Sequence, residues 1–233
     1  MINKMKHYIL SILSLCLLLV GCQQEELMEQ QGTGYLSLES LTVKAVANQP
    51  VTRAELEEGL GFKVLDANRQ EVINYIPNED YTSQRFELAA GNYTLVAYNQ
   101  AYLDGLSWTN SELGEPIRYI EQPFIIETNK TNYLKVEVPM TNFAVCLESV
   151  QGEEFFQKFE LVVSMGNRVL GLNKGGVAYF PPLTGNETLS YSISYLNDDG
   201  DSATSNVQTL TPVANTQYNF IYNIETNTVQ INE

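Results

Sequence analysis

The chain has 233 residues and a formal net charge of −15, from 28 acidic against 13 basic side chains. Nucleic acid and anionic lipid both select basic patches, so this balance argues against either as an electrostatic partner and favours a soluble, self-repelling surface. The length suits one large domain or two small ones.

The first segment is an address rather than a fold. Lys4 and Lys6 open it, Tyr8 to Val20 is an uncharged apolar run, and Leu19-Val20-Gly21-Cys22 closes it. A basic start followed by a short apolar run and small residues is an export signal. The run of about 13 residues falls short of the ~20 that cross a bilayer. Leu-Val-Gly-Cys resembles the lipobox of bacterial lipoproteins, in which the cut falls before a cysteine that already carries lipid. The resemblance implies a signal peptide over 1–21 and lipid attachment at Cys22. Multiple acyl chains anchor durably, at ~0.8 kcal/mol per buried methylene. Residues 22–32 lack a core-forming period and read as a polar tether, reaching about 35 Å at ~3.3 Å per residue. Glu25-Glu26 behind the cysteine resembles the surface-export signal of Bacteroidetes lipoproteins, which implies an outer-membrane anchor and an outward-facing protein. A merely solvated linker facing the periplasm is the alternative.

Losing the signal removes Cys16 and the single histidine, His7. With Cys22 lipidated, Cys146 is the one thiol left, so no intrachain disulfide forms. It sits in the apolar run Phe143-Ala144-Val145-Cys146-Leu147 and reads as buried and inert. Without histidine, the mature chain has no Ser-His-Asp or Cys-His catalysis, no histidine-ligated zinc and no histidine general base. Paired-carboxylate chemistry survives that filter, but no motif pairs the acids, which read as a solvated face. No enzyme activity, catalytic residue, metal or cofactor is expected.

Strand signals fill the rest. Leu36 to Leu38 and Leu41 to Ala45 alternate apolar and polar residues. Phe62 to Leu65, Val72 to Ile76, Phe86 to Leu88, Tyr93 to Tyr98, Phe124 to Ile126 and Tyr133 to Val138 follow, with turns at 66–70 and 89–92. Pro139 marks a boundary. The second set is Phe143 to Val150, Phe159 to Ser164, Val177 to Phe180, Leu189 to Leu196, Val207 to Leu210, Tyr218 to Ile224 and Thr228 to Ile231. Residues 152–158 have room for one helical turn, and 54–60 is weakly helical. The pattern predicts an all-β protein with two immunoglobulin- or transthyretin-like β-sandwich domains in tandem, 33–138 and 139–233.

The chain resembles the Bacteroidetes lipoproteins grouped as domain of unknown function number 4493. Gly34-Tyr35-Leu36-Ser37-Leu38, Thr52-Arg53-Ala54, Phe62-Lys63-Val64, the stretch from Leu88 to Ala97, Phe159 to Val163 and Tyr218 to Asn223 carry the likeness by their order. Their layout is similar to fimbrillin-like pilus subunits, with two β-domains and a lipid anchor, and implies no enzyme activity. In such subunits a protease cuts after an arginine beyond the first strand, and a strand from another subunit fills the opened groove. Arg53 is the candidate processing site here, and Thr228 to Glu233 the candidate donor strand for self-assembly.

Three further sets are candidates. Tyr98, Tyr102, Trp108 and Tyr119 surround a long polar loop, 99–122, where aromatic faces suit sugar rings; glycan contact is assigned to Tyr102, Trp108 and Tyr119, against the alternative that they pin the loop to the sandwich. Asn197-Asp198-Asp199-Gly200-Asp201 offers oxygen ligands but lacks the glutamate that closes a calcium loop, so a hairpin turn explains it better. Asp201-Ser202-Ala203 resembles the Bacteroidetes O-glycosylation sequon, which makes Ser202 a candidate acceptor. The expectation is a non-enzymatic, lipid-anchored protein of surface binding or adhesion, with a glycan or protein as ligand. The alternatives are a pilus-like subunit and an accessory glycan-binding lipoprotein.

Overall fold

The computed structural model describes residues 32–46, 59–81, 83–105, 108–151, 156–197 and 199–233. Cys22 and Arg53 lie outside these. The first sandwich is built from β1 (Thr33–Val43), β2 (Leu60–Leu65), β3 (Glu71–Tyr75), β4 (Arg85–Ala89), β5 (Gly91–Asn99), β6 (Tyr119–Ile126) and β7 (Thr131–Val138), with one short helix, α1 (Gln100–Asp104). One sheet runs β4-β1-β7 and the other β3-β2-β5-β6. Alternation along each strand aims one row inward. Leu134, Val136 and Val138 of β7 are buried while Tyr133, Lys135 and Glu137 are exposed. Leu36, Phe62, Val64, Leu95 and Ala97 close the core with no exposed surface; burying a large apolar side chain contributes ~1.5–3 kcal/mol.

The second sandwich follows with β8 (Phe143–Gln151), β9 (Phe156–Met165), β10 (Arg168–Leu172), β11 (Val177–Phe180), β12 (Leu189–Asn197), β13 (Ser202–Thr204), β14 (Gln208–Leu210), β15 (Gln217–Asn223) and β16 (Thr228–Asn232). Its sheets run β11-β8-β15-β16 and β10-β9-β12-β13, with β14 also on β12. Phe143, Leu147, Leu161, Phe180, Ile193 and Phe220 fill its core.

The two sandwiches are copies of one plan. In each, the first strand is central, antiparallel to the fourth and parallel to the last main strand: β1 with β4 and β7, β8 with β11 and β15. Each first strand also carries a bulge at the same place. Glu39 of β1 is skipped in the pairing with β7, and Glu148 of β8 in the pairing with β15. The local sequences are Leu38-Glu39-Ser40-Leu41 and Leu147-Glu148-Ser149-Val150. The extra residue resets strand parity, so Leu36 and, beyond the bulge, Leu41 and Val43 all face one core. A second repeated pattern leads into the fifth strand of each copy: Gly91-Asn92-Tyr93-Thr94-Leu95 starts β5, and Gly185-Asn186-Glu187-Thr188-Leu189 runs up to the first residue of β12, with both leucines fully buried.

Three local expectations need correction. β1 is one continuous strand, because the bulge joins the two runs read as separate. The long loop over 99–122 holds α1 and the start of β6 at Tyr119, ahead of the strand expected from Phe124. Outward polar residues of β6 hid its alternation, but Tyr119, Glu121 and Pro123 still pair with Tyr98, Val96 and Thr94 of β5. The helical turn expected over 152–158 is strand from Phe156 onward, paired to β12.

A buried polar seam joins the sandwiches. Arg118 bridges Met140, and Asn142 accepts from the Ile117 N–H at 3.0 Å while donating to the Glu115 carbonyl at 3.0 Å. Met140 N–H donates to Asn215 Oδ1 at 2.9 Å. Asn142 has no exposed surface, so these bonds replace the water it lost.

Candidate functional site

The sheet β3-β2-β5-β6 buries apolar side chains on both faces. Its inner row builds the core, while Leu65, Val96 and Tyr98 form a separate buried cluster on the outer face, with Tyr119 packed against it. α1 lies over one end of this face. Asn99 caps it, accepting from the Tyr102 N–H at 3.2 Å and the Arg118 N–H at 3.0 Å, and donating to the Pro116 carbonyl at 2.8 Å. Gly105, at φ +72°, turns the chain out of the helix in the left-handed region that favours glycine. This fixes Tyr102 on Tyr119, stacked at 4.4 Å between ring centres and 19° between planes, with Tyr98 at 6.0 Å from Tyr102.

Charged groups rim the tyrosines. Arg69 donates two bonds to Glu121, at 2.7 and 2.9 Å, and the Tyr119 hydroxyl donates a third to the same carboxylate at 2.5 Å. The Arg69 bonds, with help from Tyr119, hold the Glu121 carboxyl down to about 2. Burial, reinforced by the bond to Glu121, pushes the Tyr119 hydroxyl well above the usual phenol range. Arg69 reaches this position from a turn at φ +63°, closed by Asp66, whose carboxylate accepts from the Asn68 and Gln70 N–H groups at 2.8 Å each. Lys63, Glu71 and Asn74 complete a groove of about 320 Å³ over the aromatic floor. Across Arg69, a shallower hollow of about 480 Å³ lies over Tyr93, Pro123 and Phe124.

The sequence-predicted residues divide. Tyr102 and Tyr119 come together in the groove, joined by Tyr98. Trp108 lies elsewhere: it stacks over Gly114 and stands 5.3 Å from the guanidinium of Arg168, on β10 of the other sandwich. Arg168 donates to the carbonyls of Thr109 at 2.7 Å and Glu112 at 2.5 Å, and the Leu113 carbonyl accepts from Tyr179 N–H at 2.7 Å. The segment carrying Trp108 is thus a strap across the second sandwich that covers the outer edge of β11. Ser202 is exposed on β13, opposite Leu196. Cys146 is buried, and burial raises its thiol pKa. Sequence reasoning missed Lys63 and Glu121, whose only signal was their place in the outward rows of β2 and β6, and Arg69, which sits in the β2–β3 turn.

The family described as Domain of unknown function (DUF4493) matches residues 32–232. Comparison with curated proteins finds no match. Among solved structures, a candidate cell adhesion protein of Bacteroides uniformis is similar at 10% identity and TM-score 0.51, over 88% of this chain and 96% of that one. A candidate adhesin of Bacteroides ovatus aligns at 9% identity and TM-score 0.43, over 91% and 95%. The fimbrial anchor protein Mfa2 of Porphyromonas gingivalis aligns at 10% and 0.39, over 84% and 94%. The first shares the fold; the other two superpose too loosely to bear on it.

Proposed function

The chain belongs to the DUF4493 family, and on that premise we propose that it is a non-enzymatic binding or adhesion protein of the cell envelope, held at the outer membrane by lipid on Cys22 and facing outward. The observation that carries this reading is the polarity of the first sandwich. The chain reaches β1 at Gly32, whose carbonyl accepts from the Ala90 N–H at 2.6 Å beside the β4–β5 turn. Gly91 pairs with Ile126 at that end of the sheet, and Tyr98 with Tyr119 at the other. About seven residues at ~3.3 Å separate the two, roughly 23 Å. A tether at residues 22–32 would therefore hold the protein by one end and leave the aromatic groove at the other. The similar B. uniformis fold, described as a candidate adhesion protein, is in keeping with this role.

Two measurements test it. Metabolic palmitate should label the full chain and not Cys22→Ser, and the variant should leave the membrane fraction; equal labelling would sink the anchor. Protease added to intact cells should remove the protein, and cells lacking it should adhere less to host-derived surfaces; undiminished adhesion would sink the role.

A second reading is pilus-like assembly after cleavage at Arg53. It draws on the position of β1, central between β4 and β7, whose removal would open a groove lined by Leu88, Leu134 and Val136. Digestion of the folded chain with an arginine-specific protease should then yield detergent-resistant ladders; an Arg53 left uncut, or a cut product that stays monomeric, rejects it.

A further inference from the structure

We infer that the outer face of β3-β2-β5-β6 is a binding site for a neutral oligosaccharide, with Tyr98, Tyr102 and Tyr119 as its floor and Lys63, Arg69, Glu71, Asn74 and Glu121 as its polar rim. The inference rests on the surface-binding role proposed above and names its ligand class.

The second sandwich serves as an internal control. Its β12 aligns with β5 through the shared Gly-Asn-x-Thr-Leu pattern, so Val96 and Tyr98 correspond to Ser190 and Ser192. Leu189, Tyr191 and Ile193 of β12 face the core, which puts those serines on the outer face. The same sheet is therefore built without aromatic residues outside. The tyrosines of the first copy are not a requirement of the fold.

The helix end of this floor is also held half-open, above a buried Tyr98. Tyr102 is 41% exposed and Leu103 49%, both on a helix fixed by a fully buried cap, Asn99. Leaving ordered apolar surface in water costs free energy, and a rimmed apolar patch of this kind marks an interaction surface. The C–H-bearing face of a pyranose ring carries partial positive charge and meets the negative face of a phenol ring favourably. Around it, Asn74 offers an amide, and Glu121 and Arg69 offer a flat array of acceptors and donors suited to adjacent hydroxyls.

Charge selects among ligands. Lys63 and Arg69 balance Glu71 and Glu121, so the groove is locally neutral in a chain of net charge −15. An anionic polymer would meet no excess of cations and a strongly acidic surround. A cationic one would find better sites elsewhere on the surface.

The test uses the purified full-length chain without its signal, and calorimetry with short neutral gluco-, galacto- and manno-oligosaccharides as probes. At least one should bind, with affinity unchanged between about 0.05 and 0.5 M NaCl. Tyr102→Ala should weaken it roughly tenfold or more at unchanged melting temperature. Tyr133→Ala, on the exposed row of β7, should bind as the parent does. The inference is overturned if no probe binds, if Tyr102→Ala binds equally, or if only sulfated glycans or peptides bind. It fails separately from the function it refines: adhesion lost on deleting the chain but kept in Tyr102→Ala rejects the groove alone, while adhesion kept on deletion rejects the role itself.

Discussion

The carboxamide of Asn99 accepts from two backbone N–H groups and donates to one carbonyl, all within a site that is 1% exposed. Asn99→Ala would leave the Arg118 N–H without this acceptor, at about 1–3 kcal/mol. Urea unfolding should report a loss of that size, and the Tyr102 ring signals in proton NMR should shift as α1 loosens. Glu121 gives a pH prediction. Its folded pKa, about 2, lies below its unfolded value, so its contribution to stability is present above about pH 4.3 and is lost as pH falls through 2. Carbon-detected NMR titration should find the carboxylate still ionised near pH 3, and Arg69→Ala should raise its midpoint. The residue-scale site was half legible in the sequence. Clustered tyrosines announced an aromatic surface, but the partnership of Arg69 with Glu121 joins the β2–β3 turn to β6, a long-range approach that no local pattern reveals. Trp108 was misplaced for the same reason: a loop's composition says that it is a loop, and only the position of Arg168 says where it goes.

Strand existence was readable because alternation is local, and the all-β class followed from it. Parity was not. The runs on either side of Glu39 looked like two strands, since a bulge and a break leave the same trace in an alternating pattern. Deleting Glu39 should turn Leu41 and Val43 away from the core, or pull Leu36 out of it, and circular dichroism should show the first sandwich unfolded at room temperature. Replacing Glu39 with Gln keeps the residue count and should leave the fold intact. The internal duplication escaped notice because its two marker patterns recur at unequal spacing, so no single period exposes it.

At the scale of the molecule, the strap from Trp108 to Ile117 fixes one sandwich on the other. Arg168→Ala removes two bonds to its carbonyls and the cation facing Trp108. The sandwiches should stay folded but lose their coupling, so that calorimetry resolves two melting transitions where the parent gives one; an unchanged single transition would show that the strap is dispensable. The parallel pairing of first and last strands has a mechanical consequence. A pull applied at Thr33 and resisted beyond Val138 loads β1 and β7 from opposite ends of a parallel pair. The ladder is then strained in shear, and its bonds must yield together instead of opening one by one like a zipper. β8 and β15 repeat the arrangement above it. Tension entering through residue 32 and held at the aromatic groove would meet the first of these shear locks alone, since both points of load lie on the first sandwich.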